Sequence, residues 1–482
     1  MTWFAVVLSS CHVKPRTGGK VWLLVAGVVL YTLTFLALYP RTTAIVDEDA
    51  YLTESFLLRT GRLSYEGSGI PAPHMTVASD GRLSSKYPPG TSLFLLPFTL
   101  FGWRAVFVSG LLLALAGTAL FGLILKRLAP EADPAWALLY LFHPAVVLFS
   151  RTIMSDLLAA TLVLAAFYCL LRRGGWLLAA GLVLGLACLV RYSNAVFVPV
   201  FLLLAVRPAG SRLRSALLLL AGFAPLAGLI AAYNAYAYGS PFSFPMYLTG
   251  HFSPAYFPHN AWYYGTALMI LYPLMLTAPL AAGKGRRLLL GLPAYALLGL
   301  YCFFSYTYAV PSLPARLTVG IRYLLPGLPF FVLAFVLTAD RLLGRLRAGR
   351  LKYVGVAGMA LLSVAIQLRH DRLLRVQAGY QRLLLDNVPE SALLLGDANV
   401  SELVGYAWGW RDYRHIVEFN VPVPLDSVLA GDRPLYAGLA QKPGSENLVV
   451  LTVFETLLAR FPERVLVAET STPWQFRLYR LR

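Results

Sequence analysis

Apolar residues occur in long runs along the first three quarters of this chain. Runs close to the roughly 20 residues that a helix needs to cross a bilayer recur between Val21 and Gln367. The pattern predicts a mainly α, polytopic membrane protein with about eleven transmembrane helices. These fall at residues 21–39, 104–125, 132–149, 156–171, 175–190, 194–206, 215–237, 262–281, 288–306, 321–339 and 353–367.

Beyond residue 367 the pattern changes to that of a globular domain. Strand-like runs occur at residues 392–395, 448–454, 465–468 and 475–479, and a helical pattern covers 401–407. We therefore predict two domains: a transmembrane domain over residues 1–367 and a small soluble α/β domain over 368–482. The α/β region has no glycine-rich phosphate loop, so the sequence does not indicate nucleotide binding.

Composition and charge agree with this division. The chain of 482 residues is 58% hydrophobic and 13% charged, with a formal net charge of +18 and a mean hydropathy of +0.65. The lysines and arginines lie in short loops between the apolar runs, as in loops that face the cytoplasm, so the charge does not indicate nucleic-acid binding. These loops fall at residues 126–127, 172–173, 207–214, 284–287 and 341–352.

The loop charges also predict the topology. The basic N-terminal segment should be cytoplasmic, and the first outer loop (about residues 40–90) and the α/β domain should lie outside the cytoplasm. With no retention signal visible, we expect a multi-pass protein of the plasma (inner) membrane.

Carboxylates are scarce in the membrane region, and none occurs between Asp156 and Asp340. Asp47, Glu48 and Asp49 directly follow the first predicted helix, and Asp156 begins another. The first cluster is either a solvated end to the helix or a set of carboxylates held for catalysis or for a cation. Asp156 is either a favourable first-turn acid or a site residue. The remaining acids predicted to face outward are Glu54, Glu66 and Asp80.

Two basic residues on the outer side run against the charge bias. Lys86 precedes Tyr87 and the turn-forming Pro88-Pro89-Gly90, and Arg322 opens the predicted span at 321–339. Each is either a side chain that snorkels to the interface or a ligand for a phosphate. Arg151 and Arg191 are weaker candidates on the same side.

Histidines on the outer side are further candidates for substrate contact or metal binding. His251 and His259 lie in an aromatic-rich loop, and His74 lies in the first outer loop. Their spacing does not match a tight ligand set, which favours ordinary loop residues and leaves a divalent metal an open question.

Together these motifs resemble those of the GT-C superfamily of membrane glycosyltransferases, in particular the protein mannosyltransferase and aminoarabinose transferase (glycosyltransferase family 39-like) branches. The motifs are Asp47-Glu48 with Tyr51, Lys86-Tyr87-Pro88-Pro89-Gly90, Ser155-Asp156, and Arg322-Tyr323-Leu324-Leu325-Pro326-Gly327-Leu328-Pro329.

The resemblance implies a role for each motif. It implies Asp47 as the catalytic carboxylate, with Glu48 beside it and Asp156 as a second site carboxylate, and it assigns Lys86 and Arg322 to the lipid phosphate. The third acid, Asp49, departs from the family pattern and leaves the choice of base within the cluster open. We also expect Tyr51, Tyr87, Tyr323, His251 and His259 to be substrate contacts.

The implied activity is glycosyl transfer from a polyprenyl-phosphate sugar to a lipid, glycan or protein acceptor at the extracytoplasmic face. A carboxylate base would act in an inverting single displacement. Membrane lipids would surround the protein, and the reaction would need no nucleotide. A transporter or flippase would instead place repeats and ionisable groups near mid-membrane. A ligase or polymerase of lipid-linked glycans would share the topology but matches the motifs less well.

Overall fold

The fold is taken from a computed structural model of the protein. The residues described are 18–65, 75–77, 81–207, 211–243, 251–305, 313–401, 403–404, 412–418, 421–423, 425–429, 431–442 and 447–482.

Helices form most of the described chain. Numbered in chain order, they are α1 Gly18–Ala37, α2 Val46–Arg59, α3 Gly90–Thr99, α4 Phe107–Leu128, α5 Ala137–Leu141, α6 Pro144–Phe149, α7 Ser155–Arg172, α8 Trp176–Val190, α9 Phe197–Val206, α10 Arg212–Tyr238, α11 Phe257–Leu271, α12 Ala278–Ala281, α13 Lys284–Cys302, α14 Leu313–Arg316, α15 Leu328–Arg345, α16 Leu351–Asn387, α17 Ala398–Ser401, α18 Asp426–Leu429 and α19 Leu448–Ala459. Short 3-10 helices precede several of them, including Tyr192–Val196 before α9 and Val319–Leu324 before α15.

The strands are β1 Ser64–Tyr65, β2 Met75–Val77, β3 Leu83–Ser85, β4 Leu393–Gly396, β5 Asp412–His415, β6 Val417–Glu418, β7 Val421–Pro422, β8 Leu435–Gln441, β9 Val465–Thr470 and β10 Gln475–Arg480. In the first outer loop they form a small sheet in the order β1-β3-β2. In the C-terminal region a larger sheet has the order β5-β4-β8-β10-β9, and β6 pairs with β7.

The predicted helices largely appear, and the fold fits a polytopic membrane protein. Within the described residues, four helical stretches are both long and apolar enough to cross a membrane: Trp103–Leu128, Ser155–Arg172, Arg212–Tyr238 and Leu351–Asn387. Shorter apolar helices occur at several of the other predicted positions, including Val21–Ala37, Trp176–Val190 and Tyr192–Val206. The count of eleven spans stays a prediction.

Three details of the sequence prediction are wrong. The predicted span at 132–149 is divided into short helices, because the chain turns at His143 and restarts at Pro144 as α6. The predicted span at 262–281 is also interrupted, since α11 ends at Leu271 and α12 begins at Ala278. The span predicted at 353–367 lies within α16, which continues to Asn387. The run at 448–454 is not a strand but the start of α19. The predicted helix at 401–407 lies largely outside the described residues, and α17 ends at Ser401.

Small residues bring neighbouring helices of the membrane region close together. A Cβ added at Gly181 of α8 would lie 1.9 Å from the carbonyl oxygen of Leu219 in α10, and one added at Gly222 would lie 2.0 Å from that of Leu178. Only glycine allows this backbone approach, which is typical of packing in lipid. Gly90, at the start of α3, allows a similar close approach to the end of α8. A Cβ there would lie 2.6 Å from the carbonyl of Leu189, two residues before Arg191.

One continuous helix connects the membrane region to the C-terminal sheet. At about 1.5 Å per residue, the 37 residues of α16 extend about 55 Å, well beyond the roughly 30 Å of a hydrocarbon core. Its last turns pack on the sheet: Tyr380 stacks on Trp474 with ring centroids 5.0 Å apart, and Leu384 is fully buried in the same cluster. The helix therefore fixes the sheet relative to the membrane helices.

Candidate active site

Asp47 lies in the first turn of α2, where a carboxylate is stabilised by the helix dipole. Its Oδ1 accepts a hydrogen bond of 2.8 Å from the Tyr87 hydroxyl. Its Oδ2 accepts a hydrogen bond of 2.9 Å from Nη2 of Arg322, and the two side chains are 23% and 9% exposed. The first outer loop and the start of the predicted span at 321–339 thus meet in one ion pair.

The surroundings of Asp47 keep its carboxylate ionised. Burial raises the pKa of Asp47, but the charge and hydrogen bond of Arg322 oppose this, together with the hydrogen bond from Tyr87 and the charge of Lys86. The opposing effects prevail, so the pKa lies below its ordinary value. At neutral pH Asp47 therefore carries its negative charge and is able to accept a proton.

Arg322 also extends the network to a second carboxylate. Its Nε lies 4.0 Å from Oδ1 of Asp156, which is fully buried at the start of α7. The same Oδ1 accepts a hydrogen bond from Nη1 of Arg191. Two carboxylates and two guanidinium groups therefore alternate in the order Asp47, Arg322, Asp156, Arg191. Each buried charge has an opposite charge beside it, which the low dielectric of such a site requires.

An aromatic ring holds the two arginines close together. The guanidinium carbons of Arg191 and Arg322 lie 5.0 and 5.1 Å from the ring centroid of Tyr323. Tyr323 stacks on Tyr301, with ring centroids 5.0 Å apart and an interplanar angle of 22°. The electron-rich face of Tyr323 attracts both cations and offsets part of their mutual repulsion.

Lys86 lies beside this network, between β3 and the proline turn. Its Nζ is 5.8 Å from the ring centroid of Tyr87, and its charge acts on Asp47. The ring of Tyr87 packs against that of Tyr51, one turn after Asp47 on α2, with centroids 5.0 Å apart. The predicted residues Tyr51, Tyr87 and Tyr323 therefore line the same cluster.

A buried carboxyl group on the same face of α2 supports the Lys86 loop. Glu54, seven residues after Asp47, accepts hydrogen bonds from Ser92 at 2.7 Å and from the hydroxyl of Tyr233 at 3.3 Å. The Tyr233 hydroxyl also lies 3.4 Å from the carbonyl oxygen of Ser85 and 3.2 Å from that of Tyr87, on either side of Lys86. Burial raises the pKa of Glu54 to about 7.

Glu48 has a different environment from Asp47. Its Oε1 accepts a hydrogen bond of 2.9 Å from the Ala44 amide, and its Oε2 accepts one of 2.8 Å from the Ile153 amide. Burial raises the pKa of Glu48 to about 7, and these backbone bonds oppose the rise. Both oxygens are engaged by the backbone, so Glu48 ties the first outer loop to the segment before α7.

The predicted histidines lie beside the network. The ring of Phe304 connects His251 to it, with its centroid 6.1 Å from that of His251 and 5.7 Å from that of Tyr323. Nδ1 of His251 lies 2.6 Å from the hydroxyl of Ser305, and His259 stacks on Tyr263 with ring centroids 6.5 Å apart. His74 lies outside the described residues. In the part of the chain that the structure describes, no group of three or more His, Cys, Asp or Glu side chains is placed to hold a metal ion.

The sequence alone did not indicate the importance of several residues of the site. Arg191 belongs to the network through its hydrogen bond to Asp156, whereas Arg151 donates to His370 at 3.2 Å and to the Leu38 carbonyl at 2.6 Å, outside it. Glu54 was one of several outer-side acids, and no motif distinguished it. Tyr233 lies inside an apolar run that reads as an ordinary span. The available signals were the scarcity of carboxylates and the predicted position of Arg191 on the outer side.

In sequence, the chain matches no protein-family model and no curated protein. In structure, it aligns with ArnT from Cupriavidus metallidurans in the apo state over 97% of this chain and 98% of that chain, with a TM-score of 0.62 and 15% identity. The chain has an ArnT-like fold. ArnT bound to undecaprenyl phosphate aligns over 96% and 98% of the two chains, with a TM-score of 0.62 and 16% identity.

A second neighbour is the oligosaccharyltransferase of Archaeoglobus fulgidus in the apo form. It aligns with a TM-score of 0.50 and 11% identity, over 83% of this chain and 64% of that chain. These neighbours are GT-C proteins, so the GT-C fold predicted from the motifs is confirmed. At these identities the likeness establishes the fold, and the roles of individual residues stay predictions.

Proposed function

We propose that the protein is an integral membrane glycosyltransferase that transfers a hexose or pentose from a polyprenyl-phosphate donor to an acceptor outside the cytoplasm. The observation that carries the proposal is the contact between Asp47 and Arg322, 275 residues apart in the chain. This contact joins a carboxylate and a phosphate-binding type of cation within an ArnT-like fold. That ArnT binds undecaprenyl phosphate supports the same class of lipid here.

The donor phosphate would be held by Lys86 and Arg322, with Arg191 behind Arg322. The leaving group in such a reaction is an anionic phosphate, which needs cations rather than a general acid. As the bond between the anomeric carbon and the phosphate oxygen breaks, its electron pair passes to that oxygen. Cations fixed beside the developing charge stabilise the transition state, typically by about 3–4 kcal/mol per donor.

Asp47 would act as the base that accepts the proton of the acceptor hydroxyl or amine. The acceptor atom then bonds to the anomeric carbon from the side opposite the phosphate, and the configuration inverts. Arg322 lowers the basicity of Asp47 while the two are paired. A donor phosphate that drew Arg322 away would make Asp47 a stronger base, so base activation would depend on bound donor.

Glu48, Asp156 and the aromatic residues take supporting roles in this proposal. Glu48 holds the loop through backbone amides, and Asp156 orients Arg191 and Arg322. Tyr51, Tyr87 and Tyr323 shape the site around the reacting groups. His259 lies in α11 and His251 in the segment before it, and we keep both as candidate acceptor contacts.

The membrane arrangement is part of the same proposal. The loop charges place the N-terminus in the cytoplasm of a plasma (inner) membrane and the first outer loop and C-terminal domain outside it. The acceptor would be a lipid, a glycan or a protein, and the transferase would require no nucleotide.

The test is transfer by purified protein in detergent or nanodiscs, given a panel of labelled undecaprenyl-phosphate hexoses and pentoses and cell-envelope extracts as acceptors. We expect one donor to be consumed and its label to enter the extract. Arg322→Ala should raise the KM for that donor at least tenfold. Arg460→Ala is the matched control, because Arg460 is more than half exposed and pairs with the exposed Asp426 in the C-terminal region, outside the network. Consumption of no donor, or equal effects of the two substitutions, would contradict the proposal.

A further inference from the structure

The carboxyl ends of three parallel strands meet at one edge of the C-terminal sheet. β4 pairs in parallel with β5 and with β8, and Gly396 at the end of β4 lies opposite His415 and Gly438. His415 is the last residue of β5 and therefore lies at this edge. In sheets with parallel strands, ligands commonly bind in the crevice outside the carboxyl ends.

His415 is polar, but its ring has no hydrogen-bond partner in the part of the chain that the structure describes. Both ring nitrogens are shielded from solvent. The ring is held by an edge-on contact with Tyr413, with centroids 5.1 Å apart, and the Tyr413 hydroxyl donates to the carbonyl oxygen of Asp397. A shielded nitrogen without a partner is unfavourable, so an imidazole fixed in this state is suited to a partner that arrives with substrate.

The C-terminal domain meets the first outer loop near the candidate active site. The hydroxyl of Thr42, five residues before Asp47, donates a 2.7 Å hydrogen bond to Oε1 of Gln381, in the part of α16 that packs on the sheet. The charge of Lys86 acts on the imidazole of His415, so the C-terminal domain and the Lys86 loop come close together there. Lys86 is adjacent to Tyr87, whose hydroxyl bonds to the candidate base Asp47. These contacts bring His415 towards the Lys86 loop, through a domain that no sequence motif had connected with the site.

The chemistry of this imidazole favours a hydroxyl group as its partner. Burial lowers the pKa of His415 to about 4, and the charge of Lys86 acts in the same direction, so the ring is neutral at pH 7. A neutral imidazole has one N–H donor and one nitrogen acceptor. A hydroxyl group can satisfy both, whereas a phosphate oxygen can only accept.

We infer that His415 is a substrate-binding residue that the C-terminal domain contributes to the site, where it binds a hydroxyl group of the donor sugar or of the acceptor. The inference rests on the proposed glycosyl transfer and adds a direct role for the C-terminal domain. His415 would position the hydroxyl-bearing group beside Lys86 and would not itself exchange a proton with the reacting atoms.

The test compares His415→Phe, which removes both polar atoms, with His415→Gln, which keeps one donor and one acceptor. Gln441→Leu is the matched control: its Nε2 is also buried without a partner, but the alternation along β8 places it on the opposite face of the sheet. Neither apolar substitution leaves a buried partner unpaired, so the melting temperatures should stay the same or rise.

Two measurements separate the two sources of the hydroxyl group. Binding of undecaprenyl phosphate and of the sugar-bearing donor is measured first, and the acceptor KM is measured at saturating donor. If the donor sugar is the ligand, His415→Phe should weaken binding of the sugar-bearing donor about two- to tenfold and leave undecaprenyl phosphate unchanged. If the acceptor is the ligand, only the acceptor KM should rise by that factor. His415→Gln should recover most of either loss.

Other outcomes overturn the inference. Unchanged donor binding and acceptor KM in His415→Phe would show that His415 contacts no substrate hydroxyl. An equal loss of affinity for undecaprenyl phosphate would identify the phosphate as the ligand instead. An equal effect of Gln441→Leu would indicate a general disturbance of the domain. Failure of the wild-type protein to use any donor would count against the proposed function, whereas these outcomes in an active protein count against His415 alone.

Discussion

Replacing Asp47 with asparagine should change catalysis and donor binding in opposite directions. Asparagine has nearly the same shape and retains an oxygen that can accept the 2.8 Å hydrogen bond from Tyr87. It cannot accept the acceptor's proton, and loss of a general base typically lowers the rate by about 10²–10⁴-fold. At about 1.4 kcal/mol per factor of ten, this is roughly 3–6 kcal/mol of transition-state stabilisation.

The same substitution frees Arg322 from a competing anion. In the wild-type protein a donor phosphate must draw Arg322 from a carboxylate 2.9 Å away, and that carboxylate is 23% exposed. Partly solvated pairs contribute up to about 1 kcal/mol. Removing this competition should therefore tighten binding of undecaprenyl phosphate by up to about fivefold.

The assay measures both quantities on one preparation. Single-turnover transfer reports the chemical step, and titration with undecaprenyl phosphate in nanodiscs reports affinity. Asp426→Asn is a suitable control, because Asp426 is exposed and pairs with Arg460 in the C-terminal region, away from the site. Full activity in Asp47→Asn would refute the assignment of the base. A tenfold loss of affinity with normal turnover of bound donor would mean that Asp47 holds the donor, for example through a cation.

Two further substitutions test the support of the site. Because the pKa of Glu54 is raised to about 7, the folded protein retains a proton that the unfolded chain loses above its ordinary value of 4.5, and stability falls as the pH rises through this window. The loss of folding free energy attributable to Glu54 is about 3 kcal/mol. Glu54→Gln should therefore reduce the drop in melting temperature between pH 5 and pH 7.5. An unchanged drop would contradict a buried, proton-binding Glu54. Arg191→Gln leaves the fully buried Asp156 without its nearest partner and should destabilise the protein by about 3–5 kcal/mol. Adding Asp156→Asn to this variant should restore much of the lost melting temperature. Additive losses in the double variant would refute this coupling.

The hydropathy pattern predicted the helices well where lipid-facing length was the main constraint. It could not predict interruptions, which depend on local backbone chemistry. The span expected at 132–149 breaks where the His143 side chain accepts a hydrogen bond of 3.2 Å from the Ala145 amide and Pro144 begins a new helix. Strand propensity also gave a wrong prediction at residues 448–454, where Asn447 caps a helix that buries Phe454 and Leu458.

The site could be predicted in part, because a charge is costly in a membrane protein and therefore conspicuous. Asp47, Asp156, Lys86 and Arg322 stood out as rare charges on the predicted outer side, and the structure brings them together. Glu54 could not be distinguished from other loop acids, since its special feature is burial against Tyr233. The position of His415 depends on the rigid continuation of α16 and on the parallel pairing of β5, which no local pattern reveals.

The net charge of the proposed site balances the charge of the donor phosphate both before and after transfer. Lys86, Arg191 and Arg322 carry three positive charges, and Asp47 and Asp156 carry two negative charges, so these five groups have a net charge of +1. A polyprenyl-phosphate sugar is a phosphodiester with one negative charge, which this balance neutralises. When Asp47 takes the acceptor's proton, the net charge of the site becomes +2. At the same step the departing phosphate becomes a monoester, whose second charge is largely present at pH 7. A site in which the base is paired with the phosphate-binding arginine therefore keeps its electrostatic balance through the transfer. A base elsewhere in the fold would leave the second phosphate charge uncompensated in a region of low dielectric constant.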